Sequence, residues 1–581
     1  MRSLRLILPG CLLALPFACS DDPAGTSATT FSTSNAESET GVDTSSSGTP
    51  TTADVSSSGA DTSTSIDPDT STSGSTTEDE SSSGTTGDAC AEPDLPDING
   101  LDENGDGIDG VLCHSVFVRA EGGSDLNGGL TPDEPLATID AAIALARTFS
   151  PPYDILVASG DYEDSIEILS GARIYGGYSG TFEQRNIATN VTTIIATDSR
   201  AVVAQNLDLA SGLDGFTVIG LDVFGTAGES SYAVWVKDVP EDLLTLENLV
   251  VQAGDGATGG VGEGGGQGAN GDPGDAASSY NGGAGGDSAC GAVGGEGGDG
   301  NVCPAQSGQA GQAGGDPTGG GGVGSGGGSD CGGSCNDDAN NGGGVGSPGG
   351  NGMNGGAAGT PMGLGTFDMI GYWHGAVGSD ATRGNHGCGG GGGGAGGYDY
   401  DDCFLGIGSG TSYGGGGGGG GGGGCGGEGG GPGIAGGSSF GVVLINSAVA
   451  ITNVDITRGV GGQGGTGGVG GDGGQGAGFG GGASHPGGSE SDEGGNGQTG
   501  GTGGNGGGGG GGAGGCGGSA IGLARVGTAS ASIDGVTYSG GSAGSPGEGG
   551  AGGASASFGA APSGPDGCAG QVADAADFEI L

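Results

Sequence analysis

Oxygen-bearing side chains alternate along Asp102-Glu103-Asn104-Gly105-Asp106-Gly107-Ile108-Asp109-Gly110. Donors at every second position, followed by a glycine that permits a sharp turn, are the arrangement that converges on a hard cation such as calcium. The ligand set read from this spacing is Asp102, Asn104, Asp106 and Asp109 through their side chains and Ile108 through its carbonyl. Cys113 stands at the twelfth position, where an EF-hand carries a bidentate Glu, so only the first half of that motif is present. A plain Asp/Gly turn is the competing reading of the same residues.

Cysteines form the second set. Of 13, Cys11 and Cys19 lie in the first twenty residues, and the odd number left over leaves one thiol unpaired. Disulfides are the default in an exported chain. Proximity alone pairs Cys90 with Cys113, Cys290 with Cys303, and Cys331 with Cys335. Zinc is disfavoured, because only 4 histidines exist and no paired C-x-x-C knuckle occurs. A catalytic set of carboxylates and one base could be drawn from Arg173, Arg200 and Lys237 with Asp198, Asp208 or Asp238. Ordinary surface charge explains these residues equally well. Tyr372-Trp373-His374, the aromatic cluster of the glycine-rich part, reads as a strand anchor or as a sugar contact.

Composition bounds what can position such residues. With 160 glycines in 581 residues and 32% hydrophobic content, much of the chain cannot build an ordinary core. The formal net charge of −57 disfavours nucleic acid and anionic lipid surfaces, attracts divalent cations and keeps the chain soluble. At the N-terminus, Arg2 and Arg5 precede the apolar run Leu6 to Leu15, too short for a membrane span and suited to a signal peptide. Residues 20–89 are dominated by Ser, Thr, Asp and Gly and carry no Lys or Arg, which predicts a disordered tether.

A short pattern then occurs four times, beginning at Leu213, Leu246, Ile451 and Ile533. Each copy has an apolar residue, a Gly or Asn two positions on, and apolar or aromatic residues at the third and fifth positions. The Gly or Asn marks a corner of positive φ between two strands. Apolar runs at 233–236, 442–445 and 521–524 precede three of the copies and supply a further strand. Such a unit cannot bury its own inner face, so the copies must stack. The outward residues after the corners are Thr217, Val250, Asp455 and Thr537. Glycine-rich stretches at 255–438, 460–518 and 542–581 all leave from the same corner, which places them together as a second lobe. The remaining boundaries are an acidic loop at 90–114 and rung-forming segments at 115–254, 439–459 and 519–541.

Four resemblances add to this reading. Leu15-Pro16-Phe17-Ala18-Cys19 resembles a bacterial lipobox, which implies lipidation at Cys19 and, with Ser20 following, sorting to the outer membrane; ordinary cleavage and secretion is the alternative. Residues 116–143, with "G-S-D-x-N-x-G" at 123–129 and "P-x-x-T-I-x-x-A-I" at 135–143, resemble the opening of secreted right-handed β-helix proteins of the pectin-lyase-like superfamily. Ile174-Tyr175-Gly176-Gly177-Tyr178 with Phe182 and Arg185 resembles a rung of the same family. The likeness implies a parallel β-helix with an N-terminal cap helix, and here Thr138 is a good N-cap with Ile139, Ala142, Ile143 and Ala146 on one helical face. The acidic loop resembles the short calcium loops of extracellular modules, and the glycine tracts resemble PGRS-type surface proteins.

The three-residue glycine period predicts either side-by-side polyglycine-II strands or a flexible coil. The expected function is that of an exported, lipid-anchored surface protein, structural or adhesive, meeting glycans or cell-surface components. The rival is a carbohydrate-active lyase or hydrolase on the same fold.

Overall fold

The computed structural model describes residues 94–312, 320–329, 341–401, 410–486 and 494–580. Cys19, the 20–89 tether, Cys90, Cys331 and Cys335 lie outside them. Among the described residues one α-helix occurs, Ile139–Ala146, and no helix is long and apolar enough to cross a membrane. Thr138 caps the helix by accepting from Ala141 N (3.3 Å), while Ile139, Ala142, Ile143 and Ala146 form its buried face. Asp125 Oδ1 takes the amides of Ala137 and Thr138 (2.9 and 3.0 Å), which locks the preceding turn onto the helix start.

Three parallel sheets carry the fold, and the chain visits them in rotation. Ser231–Lys237 in one sheet is followed by Leu244–Glu247 in the next and Val250–Gln252 in the third. Ser439–Ile445, Ala448–Thr452 and Asp455–Val460 repeat the circuit, as do Ala520–Val526, Ser530–Asp534 and Thr537–Ser542. Each strand pairs with its counterpart in the neighbouring circuit. The four sequence copies therefore lie on one another in register: Leu213 pairs with Leu246, Leu246 with Ile451, and Ile451 with Ile533. Thr217, Val250, Asp455 and Thr537 align in the same way.

Stacking like on like produces columns of buried side chains. Val202, Val234, Val442 and Leu523 from one sheet meet Leu213, Leu246 and Ile451 from another and Val218, Val251 and Ile456 from the third in a single core. Burying such a side chain contributes roughly 1.5–3 kcal/mol, and no isolated circuit could collect it. The corner residues Gly215, Asn248, Asn453 and Gly535 have φ of 79°, 51°, 54° and 63°, as the pattern requires. The two asparagines tolerate this region because their amides form a ladder: Asn453 Nδ2 donates to Asn248 Oδ1 and Asn248 Nδ2 to Asp214 Oδ1, both at 2.7 Å.

Several strands read as unbroken apolar runs because both of their faces are covered. In Ser439–Ile445, Val442 and Leu444 point to the shared core, while Phe440, Val443 and Ile445 join Tyr232, Trp235, Phe367 and Trp373 on the opposite face. That second layer is supplied by a hairpin, Gly365–Phe367 paired with Trp373–Gly375, reaching back from the longest glycine-rich stretch. Tyr232 Oη accepts from Trp373 N (2.9 Å) and Trp235 Nε1 donates to Gly371 O (3.0 Å). Of the Tyr372-Trp373-His374 cluster, Trp373 is thus a buried anchor, and exposed His374 pairs with Asp368 (2.9 Å).

The glycine-rich segments continue the strands without a slip. Asn453 bonds Asn248 across 205 residues within the sheets, and Gln475 N bonds Asn270 Oδ1 across the same 205 residues beyond them. Amides bond every third residue, as in Gly256 to Val460, Gly259 to Gln463 and Gly262 to Thr466. At the centre, Gly417, Gly418 and Gly419 donate to Gly298, Gln498 and Asp275 and accept from Gly283, Gly393 and Gly480. Six backbone partners around three residues leave no direction for a side chain. A Cβ on these three glycines would meet carbonyl oxygens at 2.0, 2.0 and 1.9 Å, which explains the uninterrupted tract Gly414 to Gly424. Along one row of that segment, Gly416, Gly419 and Gly422 face Asn281, Ala284 and Asp287. The next residue in the row is Cys425, which meets Cys290 of the same neighbour at the same spacing and is disulfide-bonded to it. At the periphery backbone crowds only every third residue, all of them glycine, while Thr258, Val261, Gln267 and Asn270 between them are exposed.

Cys290 is bonded to Cys425, not to Cys303, and Cys516 to Cys568. Extended segments carry sequence neighbours apart while bringing distant residues side by side, so proximity gives the wrong partner for Cys290. Cys113 and Cys303 are also disulfide-bonded, so both remain cross-linked cysteines.

Candidate functional site

The acidic loop is seated by its apolar residue. Ile108 is 3% exposed and packs with Phe117, Leu156, Ala158, Tyr178 and Phe182 on the outer face of the first sheet. Arg185 fastens the same end: Nε donates to Gly176 O (2.9 Å), Nη1 to Asp97 O (2.8 Å) and Nη2 to Asp214 Oδ2 (2.9 Å). Its guanidinium also lies over Tyr175 and Tyr178. One fully buried cation thus joins the loop, the sheet and the asparagine ladder.

Within the loop the expected donors turn toward backbone amides. Asp102 Oδ1 accepts from Gly105 N (2.6 Å) and Asp106 N (3.1 Å), and its Oδ2 from Gly107 N (2.9 Å). Asn104 Oδ1 accepts from Asp106 N (2.9 Å), and the Asp106 carboxylate accepts from Ile108 N and Leu112 N (3.2 and 2.8 Å). Each of these oxygens keeps lone-pair capacity beyond the amide it accepts. Asp109 departs from the other three. It is 1% exposed, its carboxylate accepts from Asp97 N (3.2 and 3.3 Å), and its carbonyl takes the Tyr178 hydroxyl (2.7 Å). In its place Asp94, also 1% exposed, faces the loop, with Oδ2 accepting from Glu103 N and Gly110 N (3.3 and 3.2 Å). The spacing gave no sign of Asp94, because it precedes the motif.

Burial pushes the Asp109 carboxyl up to about 7; the Asp97 amide and Arg185 oppose this, whereas Asp97 and Asp94 reinforce it as like charges. A folded value above the unfolded one, near 3.9, means that the folded state holds the proton more tightly. Its stabilising contribution is complete below about pH 4 and is lost as pH rises through about 7. Denaturant midpoints at pH 5 and pH 8 should therefore fall with pH more steeply for the wild type than for Asp109→Asn, whose carboxamide cannot ionise. Equal slopes for the two proteins would refute the assignment.

A groove of about 230 Å³ runs beside the asparagine ladder, lined among others by Phe216, Thr217, Asn248, Val250, Asn453 and Asp455. Asp455 is its carboxylate, and Arg, Lys and His are missing from the lining. The basic residues considered for catalysis sit elsewhere. Arg173 pairs with Asp154 (2.7 Å), Arg200 lies over Trp235 and Tyr372, and Lys237 pairs with Asp238.

Cys290, Cys425 and His386 are the one trio of ligand-type side chains among the described residues with donor atoms within 4.8 Å of one another. The two sulfurs are joined to each other. His386 Nδ1 accepts from Gly426 N (2.8 Å), and Nε2 lies 3.0 Å from Arg383 Nη2.

These observations define a β-rich protein of stacked parallel strands with an acidic loop at one end and hydrogen-bonded glycine segments along one side. No protein-family model, curated protein or solved structure matches the chain.

Proposed function

We propose that this chain is an exported bacterial cell-surface protein, lipid-anchored at Cys19, with a structural or adhesive role. In this reading the stacked circuits are a right-handed parallel β-helix of pectin-lyase-like type, and the PGRS-like glycine segments pack as a polyglycine-II bundle. The acidic loop holds calcium at the tethered end. One observation carries the proposal: a single register, 205 residues from Asn248 to Asn453 and again from Asn270 to Gln475, spans strands and glycine segments alike. Continuous backbone pairing across both parts makes a stiff body, suited to presenting a fixed surface to glycans, other cells or matrix. The groove beside the ladder, lined by one carboxylate and by neither Arg, Lys nor His, favours this reading over a polysaccharide lyase, which needs a base beside its cation.

The test uses the purified full chain immobilised on a surface. Glycan-bearing beads or cells should be retained, and acidic polysaccharides incubated with the chain and calcium should stay intact. Appearance of unsaturated cleavage products would overturn the reading in favour of the lyase. Metabolic labelling with a fatty acid should mark the wild type and spare Cys19→Ser.

A further inference from the structure

We infer that Asp94 is the carboxylate ligand that completes the cation loop, in the role that the missing twelfth-position Glu plays in an EF-hand. The inference rests on the reading that residues 102–110 bind calcium. Three observations support it. Asp94 is 1% exposed and held by two loop amides, Glu103 N and Gly110 N, through Oδ2 alone. Its second oxygen, Oδ1, is buried with no hydrogen-bond partner. Asp102 and Asp106 act on it as like charges.

A buried carboxylate oxygen without a donor costs free energy comparable to a lost hydrogen bond, and more when charged. A divalent cation removes that cost and the mutual repulsion together. Calcium suits the site, since it accepts 6–8 oxygens in flexible geometry at about 2.3–2.6 Å. Asp94, Asp102, Asn104 and Asp106 supply side-chain oxygens of the hard type it prefers. The Asp109 carboxylate is turned to Asp97 N and takes none of the amides of residues 103–112 that the other carboxylates accept from. The residues available therefore differ from those the spacing alone would select: Asp94 enters and Asp109 leaves. A Cβ added at Gly105 or Gly107 would meet no atom within 4 Å, so these two glycines border open space.

The inference has a structural consequence. Asp94 lies at the tether side of the loop, and Ile108 is plugged into the sheet. A cation shared by Asp94 and Asp106 would pin the segment that begins at Asp94 to the first sheet.

The experiment titrates calcium chloride into chelator-treated full-length protein by calorimetry, with about 0.15 M KCl and excess magnesium to occupy the diffuse acidic surface. The wild type should show one saturable calcium site. Asp94→Asn, which keeps an oxygen for the two amides, should weaken it by about tenfold or more, following the loss of ligand charge. Asp102→Asn should weaken it comparably, and Asp109→Asn should change it less than about twofold, since that group does not reach the ion. Loss in Asp102→Asn with wild-type affinity in Asp94→Asn would overturn the role of Asp94 and leave the loop reading intact. No saturable site in the wild type would overturn both. Should Asp94→Asn fail to fold, hydrogen exchange of the wild type decides. Calcium should protect peptides covering 94–100 as well as 102–110, and protection of the second alone would overturn the proposal.

Discussion

Gly419→Ala is expected to unfold the centre of the glycine-rich part. The added methyl would stand 1.9 Å from the carbonyl oxygen of Ala284, and that oxygen belongs to backbone fixed by its own neighbours. A flexible side chain can move out of the way, whereas a packed backbone segment cannot. Overpacking in a well-packed core costs typically about 1–3 kcal/mol, and a backbone clash with no relief lies at or beyond the upper end. The consequence spreads, because Gly419 also donates to Asp275 and accepts from Gly480. Displacing it breaks pairing with two further segments. Gly264→Ala is the matched control: the nearest atom to its added methyl is Val469 O at 3.8 Å, an ordinary contact. That variant should remain within about 1 kcal/mol of the wild type, because the methyl also restricts the unfolded chain. Hydrogen exchange of a peptide covering 414–424 gives the readout. Slow exchange in the wild type and in Gly264→Ala, with fast exchange in Gly419→Ala, is the expected pattern. Fast exchange in the intact wild type would mean that the glycine segments are a flexible coil.

Removing the Cys290–Cys425 disulfide should be the second large effect. The glycine segments hold together by backbone hydrogen bonds, each worth about 1 kcal/mol net, and glycine loses more conformational freedom on folding than any other residue. Side-chain burial there is sparse, although a small cluster of Ala358, Ala381 and Ala513 contributes. Cross-links that limit the unfolded chain therefore matter more than in a protein with an ordinary core. Cys290 and Cys425 are separated by 135 residues, for which loop-closure entropy amounts to about 5 kcal/mol. Cys516 and Cys568 are separated by 52 residues, which corresponds to about 4 kcal/mol. Replacing Cys290 and Cys425 together by alanine should lower the denaturant midpoint of the glycine-rich part more than replacing Cys516 and Cys568. Equal midpoints in all three proteins would show that pairing between segments carries the stability unaided.

The strand half of the fold was legible because its signals are local. Leu213, Leu246, Ile451 and Ile533 repeat one pattern, and a corner of positive φ admits few residues besides Gly and Asn. Pattern and corner together set the register. The cap helix was legible for the same kind of reason, since Thr138 and the 3.6-residue spacing after it are properties of one short segment. The acidic loop was legible as a group of donors. Which carboxylates take the loop amides was not: Asp109 accepts from Asp97 N, while Asp94, outside the motif, accepts from Gly110 N.

By itself, then, the sequence determined which segments are alike, where the chain must bend, and that glycine tracts recurring with a period of three leave from one corner. Only the tertiary structure decided how many neighbours each glycine segment has, which cysteine meets which, and which carboxylates face one another. The physical reason is range. Backbone preference and side-chain periodicity act over a few residues and are written into the local sequence. Pairing between extended segments depends on which of many nearly identical glycine runs lie side by side, and a run without side chains carries little to distinguish one partner from another. That selection comes from the ends, where the stacked strands enter the glycine segments in fixed register and pass it along.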